Sequence, residues 1–183
     1  FVPISGIKMD ECVSLAEELG ARMARELEIP VYLYDRAAKK AGRENLANVR
    51  KGEFEGIRKD IASNPEREPD FGECKLHPTA GCTAVGARMI LVAFNANLNT
   101  NDVSIAKKIA RAVRGKSGGF QYVRGLGFAI KERDIAQVSM NLINYKRSPM
   151  HRVLEFIRRE AQRYGVGILE TEIVGLVPQA AMI

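Results

Sequence analysis

The sequence predicts an α/β chain in two segments, the second of them a βαββαβ unit. Two observations carry this. Apolar residues recur at helical spacing in three stretches, and short β-rich runs fall between them. A third, a proline- and glycine-rich stretch from Asn64 to Pro78, holds Pro65, Pro69, Gly72 and Pro78 and reads as a long loop late in the first segment.

In the first segment Phe1 to Ile4 reads as the end of a strand. The chain opens there without an initiator Met, so a processed product or a fragment is expected. Cys12, Leu15, Ala16, Leu19, Met23 and Leu27 then form an apolar helix face, with Glu11, Glu17, Glu18 and Arg25 at other positions. Pro30 stops that helix, and Val31 to Tyr34 is a strand. Glu44 to Ile61 predicts short charged helices broken at Gly52, and Gly81 to Val85 a short strand followed by Gly86.

The second segment opens with a strand, Met89 to Leu98. Asn101 or Asp102 caps a helix whose core face is Val103, Ala106, Ala110 and Val113, and Gly115 ends it. Phe120 to Ile130 is a strand, Lys131 to Asp134 a turn, and Ile135 to Tyr145 a strand. Ser148 is the expected N-cap of the next helix, with Pro149 at its first position and Val153, Leu154, Ile157 and Ala161 facing inward. Gly165 closes it, and Ile168 to Val177 is the last strand. This order is a ferredoxin-like split βαβ unit, which covers one sheet face with helices and leaves the other open.

That open face carries the first functional signal. Strand side chains alternate, so Ile90, Val92, Phe94, Ala96 and Leu98 share one face and Ala93, Asn95 and Asn97 the other. On the neighbouring strand Gln137, Ser139 and Asn141 share a face. Side by side, the two rows give a patch of amides and a hydroxyl, able to offer donors and acceptors to a ligand. An ordinary solvated face is the competing reading, and pattern alone leaves the two even.

Charge and motifs narrow the options. Net charge is +6, which favours anionic ligands, but the basic residues are scattered and Trp is absent, so a nucleic-acid footprint is the weaker reading. The longest apolar run, Met89 to Phe94, is far short of the roughly 20 residues of a membrane helix. Cys12, Cys74 and Cys82 have no paired spacing and read as reduced thiols of a cytoplasmic protein, with Cys12 in the core and no metal site. Asp70-Phe71-Gly72 spells the magnesium triplet of kinases without its companion motifs, and Gly115-Lys116-Ser117 follows a helix where a phosphate loop would precede one. Gly125 and Gly127 inside a strand point to a bulge or a close backbone approach. His77 sits in a loop and His151 in the first turn of a helix, and neither has the neighbours of a catalytic triad.

Several exact stretches go further. They are Phe1-Val2-Pro3-Ile4, Met9-Asp10-Glu11-Cys12, Pro30-Val31-Tyr32-Leu33-Tyr34, Arg50-Lys51-Gly52-Glu53-Phe54-Glu55 and Pro69-Asp70-Phe71-Gly72. Gly81-Cys82-Thr83, Gly86-Ala87-Arg88, Ala93-Phe94-Asn95-Ala96-Asn97-Leu98, Gln137-Val138-Ser139-Met140-Asn141-Leu142 and Val174-Gly175-Leu176-Val177-Pro178 continue the series. With them the chain resembles the formiminotransferase family, also found fused to cyclodeaminases. The resemblance is collinear and covers nearly the whole chain. It implies a transferase of histidine degradation, moving the formimino group of N-formimino-L-glutamate to N5 of tetrahydrofolate, cytoplasmic and homo-oligomeric. It also implies two α/β subdomains, residues 1–86 and 87–183, with facing sheets, outer helices and a substrate tunnel between. Asn95, Asn97, Gln137, Ser139 and Asn141 would line that tunnel. The family's folate-contacting loop maps onto His77, Pro78, Thr79, Ala80, Gly81, Cys82, Thr83, Ala84, Val85 and Gly86, without the aromatic residue expected near Ala80.

The family's catalytic histidine lies in a His-Pro-Arg-Met-Gly-Ala motif that would precede Phe1. No catalytic residue is therefore assigned within the chain, which is expected to be inactive alone and to work with a missing N-terminal segment or chain. The expected co-substrate is tetrahydrofolate, with no metal, nucleic acid or membrane partner. The alternative is a folate-binding or regulatory module of the same fold that performs no chemistry.

Overall fold

A computed structural model describes residues 1–182. The chain divides into two compact units, Phe1–Met89 and the residues from Ile90 onward.

The first unit is built on β1 (Val31–Asp35), which pairs in parallel with β2 (Thr83–Ala87), Leu33 opposite Val85. Helix α1 (Met9–Leu27) covers one face. The backbone N–H of Lys8 donates to the Glu11 carboxylate at 2.8 Å and so ties down its first turn. Its buried line is Cys12, Ala16 and Gly20. The expected core residues Leu15, Leu19 and Leu27 are instead 40, 39 and 54% exposed. The reason is the closeness of the helix to β1: a Cβ on Gly20 would already lie 3.2 Å from Cγ1 of Val31 and 3.1 Å from the Phe71 ring. Only small side chains fit that line, and the leucines are turned aside. Glu28 ends the helix in a left-handed conformation (φ 54) ahead of Pro30.

Helices α2 (Leu46–Val49) and α3 (Glu53–Asp60) cover the opposite face through Val49, Ile57 and Ile61, packed on Tyr32. The break at Gly52 is real, with φ +81. On the other edge of β1, Val31 exchanges backbone hydrogen bonds with Phe71 and Asp70. The Asp70 carboxylate accepts from the Leu33 N–H at 2.8 Å and from Arg43 at 2.6 Å, both ionic side chains being buried. The kinase-like triplet is thus a structural clasp. Phe1 meets β2 as the end of a strand does, donating to the Gly86 carbonyl and accepting from the Arg88 N–H. The pairing goes no further, because Pro3 removes the next available donor, and residues 1–4 form no regular strand.

In the second unit the strands are β3 (Val92–Leu98), β4 (Val123–Ile130), β5 (Ile135–Leu142) and β6 (Ile168–Val174). All neighbours are antiparallel, in the order β4-β5-β3-β6, the ferredoxin-like arrangement. Helices α4 (Val103–Val113) and α5 (Met150–Gln162) bury Ala106, Ile109, Ala110, Val113, Val153, Ile157 and Ala161 against one face of the sheet. Asp102 caps α4, its carboxylate accepting from the Ser104 N–H at 2.8 Å, while Asn101 donates to Asp134. Ser148 does not cap α5. The first helical N–H groups, of Arg152 and Val153, close on the Pro149 carbonyl, so Pro149 is the cap and Ser148 is buried ahead of it. No helix among the described residues is long and apolar enough to cross a membrane.

Candidate functional site

Two groups of residues stand out, one in each unit. The first is the segment from His77 to Gly86. Backbone bonds between His77 and Gly81 (2.8 and 3.0 Å) close a tight turn. Inside it Nδ1 of His77 accepts the Ala80 N–H at 2.9 Å and the Thr79 N–H at 3.3 Å. An Nδ1 that accepts carries no proton, which leaves Nε2 as the N–H donor of the ring. Pro78, Thr79 and Ala80 are exposed, Cys82 and Thr83 half-buried, and Ala84 exposed. Cys82 packs toward Tyr32, and burial pushes its thiol pKa up, so it stays protonated and is a poor nucleophile. Val85 is drawn into the α1 core and Gly86 is buried against the Tyr34 ring, so neither offers a side chain to a ligand.

Gly81 has φ +69 and supports an aromatic ring: a Cβ there would lie 3.0 Å from Cε2 of Phe54 and 3.4 Å from Cδ2. Phe54 is 48% exposed. The position near Ala80 has no ring, but α3 brings one to the same turn. Sequence reasoning missed Phe54, since only the fold brings residue 54 beside residue 81.

The second group is the open face of the β4-β5-β3-β6 sheet. The register sets Phe128, Gln137, Asn97 and Glu170 in one row, and Leu126, Ser139, Asn95 and Glu172 in the next. Arg124, Asn141, Ala93 and Val174 form a third. Asn95, Asn97, Gln137, Ser139 and Asn141 therefore lie on the face away from α4 and α5, as the alternation requires. The amides are not left for water alone. Asn95 Nδ2 donates to Glu172 and Asn97 Nδ2 to Glu170, each at 3.0 Å, and Gln137 Nε2 donates to Asn97 Oδ1 at 2.8 Å. Hydrogen bonds from Arg133 and then Asn97 hold the Glu170 carboxyl below the usual glutamate range. Glu172 has amide donors, Asn95 and Gln137, and among the described residues no cationic partner. Sequence reasoning missed both glutamates. Their signal was the alternation Glu170, Glu172 in the last strand.

The remaining residues lie apart. His151 is exposed on α5, Cys12 is buried under α1 and Cys74 is exposed. Among the described residues no group of three His, Cys, Asp or Glu is placed to hold a metal ion. Arg88, just past β2, buries its Nη1 without a hydrogen-bond partner.

Comparison with known proteins gives this arrangement a context. Residues 1–88 match the model of the formiminotransferase domain, N-terminal subdomain, and residues 93–183 that of the formiminotransferase domain. The chain is 48% identical over its whole length to a glutamate formimidoyltransferase of Streptococcus pyogenes serotype M1, covering 61% of that protein. It is 47% identical to one of Thermoplasma acidophilum, covering 60%. A formimidoyltransferase-cyclodeaminase of Rattus norvegicus is 40% identical, with 35% of its length covered. The chain thus spans less than two thirds of each of these relatives.

Proposed function

The chain belongs to the formiminotransferase family, and from that premise we propose that it takes part in moving the formimino group of N-formimino-L-glutamate to tetrahydrofolate, a step of histidine degradation. The observation that carries the reading is the collinear match of both halves of the domain across nearly the whole chain.

The segment from His77 to Thr83 suits a flat heteroaromatic ring. The half-exposed Phe54 ring offers a surface on which a pteridine stacks, Gly81 lets backbone and ring meet, and the Nε2–H of His77 donates to an acceptor on the pteridine edge. The sheet face of the second unit suits the other substrate. A formimino group is an amidine, and its protonated form is a planar cation with a fork of N–H donors, matched by a carboxylate. Glu172, steadied by Asn95 and Gln137 and lacking a cation of its own, receives that fork. Ser139 lies in the same row as Glu172, and Asn141 in the next.

Tetrahydrofolate supplies the nucleophilic N5, and transfer exchanges the bond from the formimino carbon to the glutamate nitrogen for one to N5. The residues described here bind and orient; the general base that takes the N5 proton is not assigned to His77 or His151. Nδ1 of His77 is committed to the turn, and among the described residues no carboxylate orients either ring. That same observation favours a second reading, a folate-binding module of this fold without chemistry. An assay of the whole protein decides: glutamate release that requires both N-formimino-L-glutamate and tetrahydrofolate is expected, and folate binding without release supports the second reading.

A further inference from the structure

We infer that Arg88 is a carboxylate-binding residue, which anchors the glutamate end of a substrate. This rests on the transferase reading above, because both proposed substrates end in glutamate carboxylates. The observation is an unsatisfied group. Nη1 of Arg88 is buried and has no hydrogen-bond partner, and no ion pair engages the guanidinium among the described residues.

A guanidinium cannot lose its proton near neutral pH, so burial cannot be relieved by neutralisation. Withdrawing one of its N–H donors from water without replacement is costly, and native structures rarely leave such a donor orphaned. Arg43 of the same unit, a buried arginine, shows the contrast with half-buried Arg88. Arg43 is fully engaged by the Asp70 carboxylate and by the carbonyls of Glu66 and Glu68, and it stacks over Tyr32 at 5.1 Å. Arg88 has nothing equivalent, although its backbone is fixed: its N–H donates to the Phe1 carbonyl at 3.0 Å, and it directly follows the buried Gly86 and Ala87 at the end of β2. A planar cationic fork on a fixed backbone, with Nη1 short of an acceptor, selects a carboxylate, which accepts two parallel N–H bonds. Position also suits a glutamate tail, since Arg88 continues the chain segment proposed to hold the folate ring.

The carboxylate could come from the folate or from N-formimino-L-glutamate, and the whole protein distinguishes them. Folate is compared with pteroate, which keeps the ring system and lacks glutamate, and the KM for N-formimino-L-glutamate is measured in parallel. If the folate tail is the ligand, Arg88→Met weakens folate binding about ten- to a hundredfold, to the level of pteroate, whose own affinity is unchanged. If the donor is the ligand, its KM rises by a similar factor while folate and pteroate are unaffected. In either case the melting temperature does not fall, because an orphaned donor has been removed, and Arg88→Lys recovers only part of the loss. Unchanged values for all three ligands overturn the inference and leave the transferase reading standing. So does a large loss of melting temperature with binding intact, which means that Arg88 is held within the fold. Failure of the wild-type protein to bind either substrate overturns both.

Discussion

Asn95 and Glu172 meet across the β3–β6 pair, the asparagine amide donating to the carboxylate at 3.0 Å, one row from Asn97, which does the same to Glu170. The two bonds look alike and differ in surroundings. Asn97 is 2% exposed and uses both ends of its amide, donating to Glu170 and accepting from Gln137. Asn95 is 9% exposed and has one bond, to a glutamate open to water. Asn97→Leu is expected to remove the shorter acceptor of Gln137 and a donor to Glu170 from a buried position, and to cost about 1–3 kcal/mol of stability. Asn95→Leu should cost less, about 1 kcal/mol, because water can replace the lost donor at Glu172. Its larger effect should be on N-formimino-L-glutamate, with KM raised about tenfold through a less well-held Glu172. Chemical denaturation and steady-state kinetics on both variants check this. Equal stability losses, or an unchanged KM in Asn95→Leu, would be the contrary result.

Phe54 provides a second test. If its ring carries the pteridine, Phe54→Leu keeps bulk against Gly81 and removes the aromatic face. Affinity for tetrahydrofolate should fall about five- to tenfold, as expected for loss of one stacked pair, while Phe54→Tyr retains it. Because Phe54 is half exposed, the melting temperature should change little. Binding of p-aminobenzoylglutamate, which lacks the pteridine, should not change. Equal losses for both ligands would make Phe54 a support of the turn and nothing more.

Much of the fold was legible in the sequence because the signals were local. The Gly52 break, the Asp102 cap and the inward rows of β3 and β5 each follow from a few neighbouring residues. What escaped depended on approach between distant segments. The inward line of α1 is small because β1 and Phe71 press close, a fact absent from the helical periodicity. Asp70 looks like a motif fragment until Arg43 and the Leu33 N–H are seen to share its carboxylate. Asn95 and Asn97 were found by alternation. Their acceptors lie on β6, more than seventy residues away, and only the register identifies them. Phe54 and Gly81 likewise meet only in three dimensions.

Tyr32 links burial to pH. It is 3% exposed and its hydroxyl donates to the Arg67 carbonyl at 2.7 Å. Burial first, then the neighbouring Cys82, pushes its pKa up to about 12, against a smaller opposing pull from Arg43 and Arg67. A raised folded-state pKa means that the unfolded chain releases this proton first, near pH 10. The stability Tyr32 contributes is therefore complete below about pH 10 and lost as pH rises toward about 12, by on the order of 2 kcal/mol. Tyr32→Phe removes the hydroxyl and should be about 1 kcal/mol less stable at neutral pH. It should then lose less stability than the wild type through the alkaline range. Urea unfolding of both proteins at several alkaline pH values compares the slopes, and parallel curves would show that Tyr32 does not titrate in this window.

Gly125 and Gly127 look equivalent in the sequence, two glycines in one strand, and the structure separates them. Both lie on the inward face of β4, and the β4–β5 register runs through them without a bulge. A Cβ on Gly127 would fall 2.4 Å from the backbone nitrogen of Lys107 and 2.6 Å from the carbonyl carbon of Ala106. These atoms belong to the backbone of α4, which cannot rotate aside as a side chain would, so helix and strand must separate. At Gly125 the nearest atoms are 3.5 Å away, an ordinary contact. Neither glycine has a positive φ, so alanine is conformationally acceptable at both. Gly127→Ala is therefore expected to cost about 1–3 kcal/mol through forced separation of α4 and β4. Gly125→Ala should be neutral or stabilising by up to about 1 kcal/mol, since it restricts the unfolded chain. The displacement in Gly127→Ala should also reach the open face. β4 pairs with β5 there, Phe128 opposite Gln137, and Gln137 holds Asn97 and Glu172. KM for N-formimino-L-glutamate should rise in Gly127→Ala and stay unchanged in Gly125→Ala. Equal denaturation midpoints for the two variants would mean that α4 does not approach β4 as closely as the backbone places it.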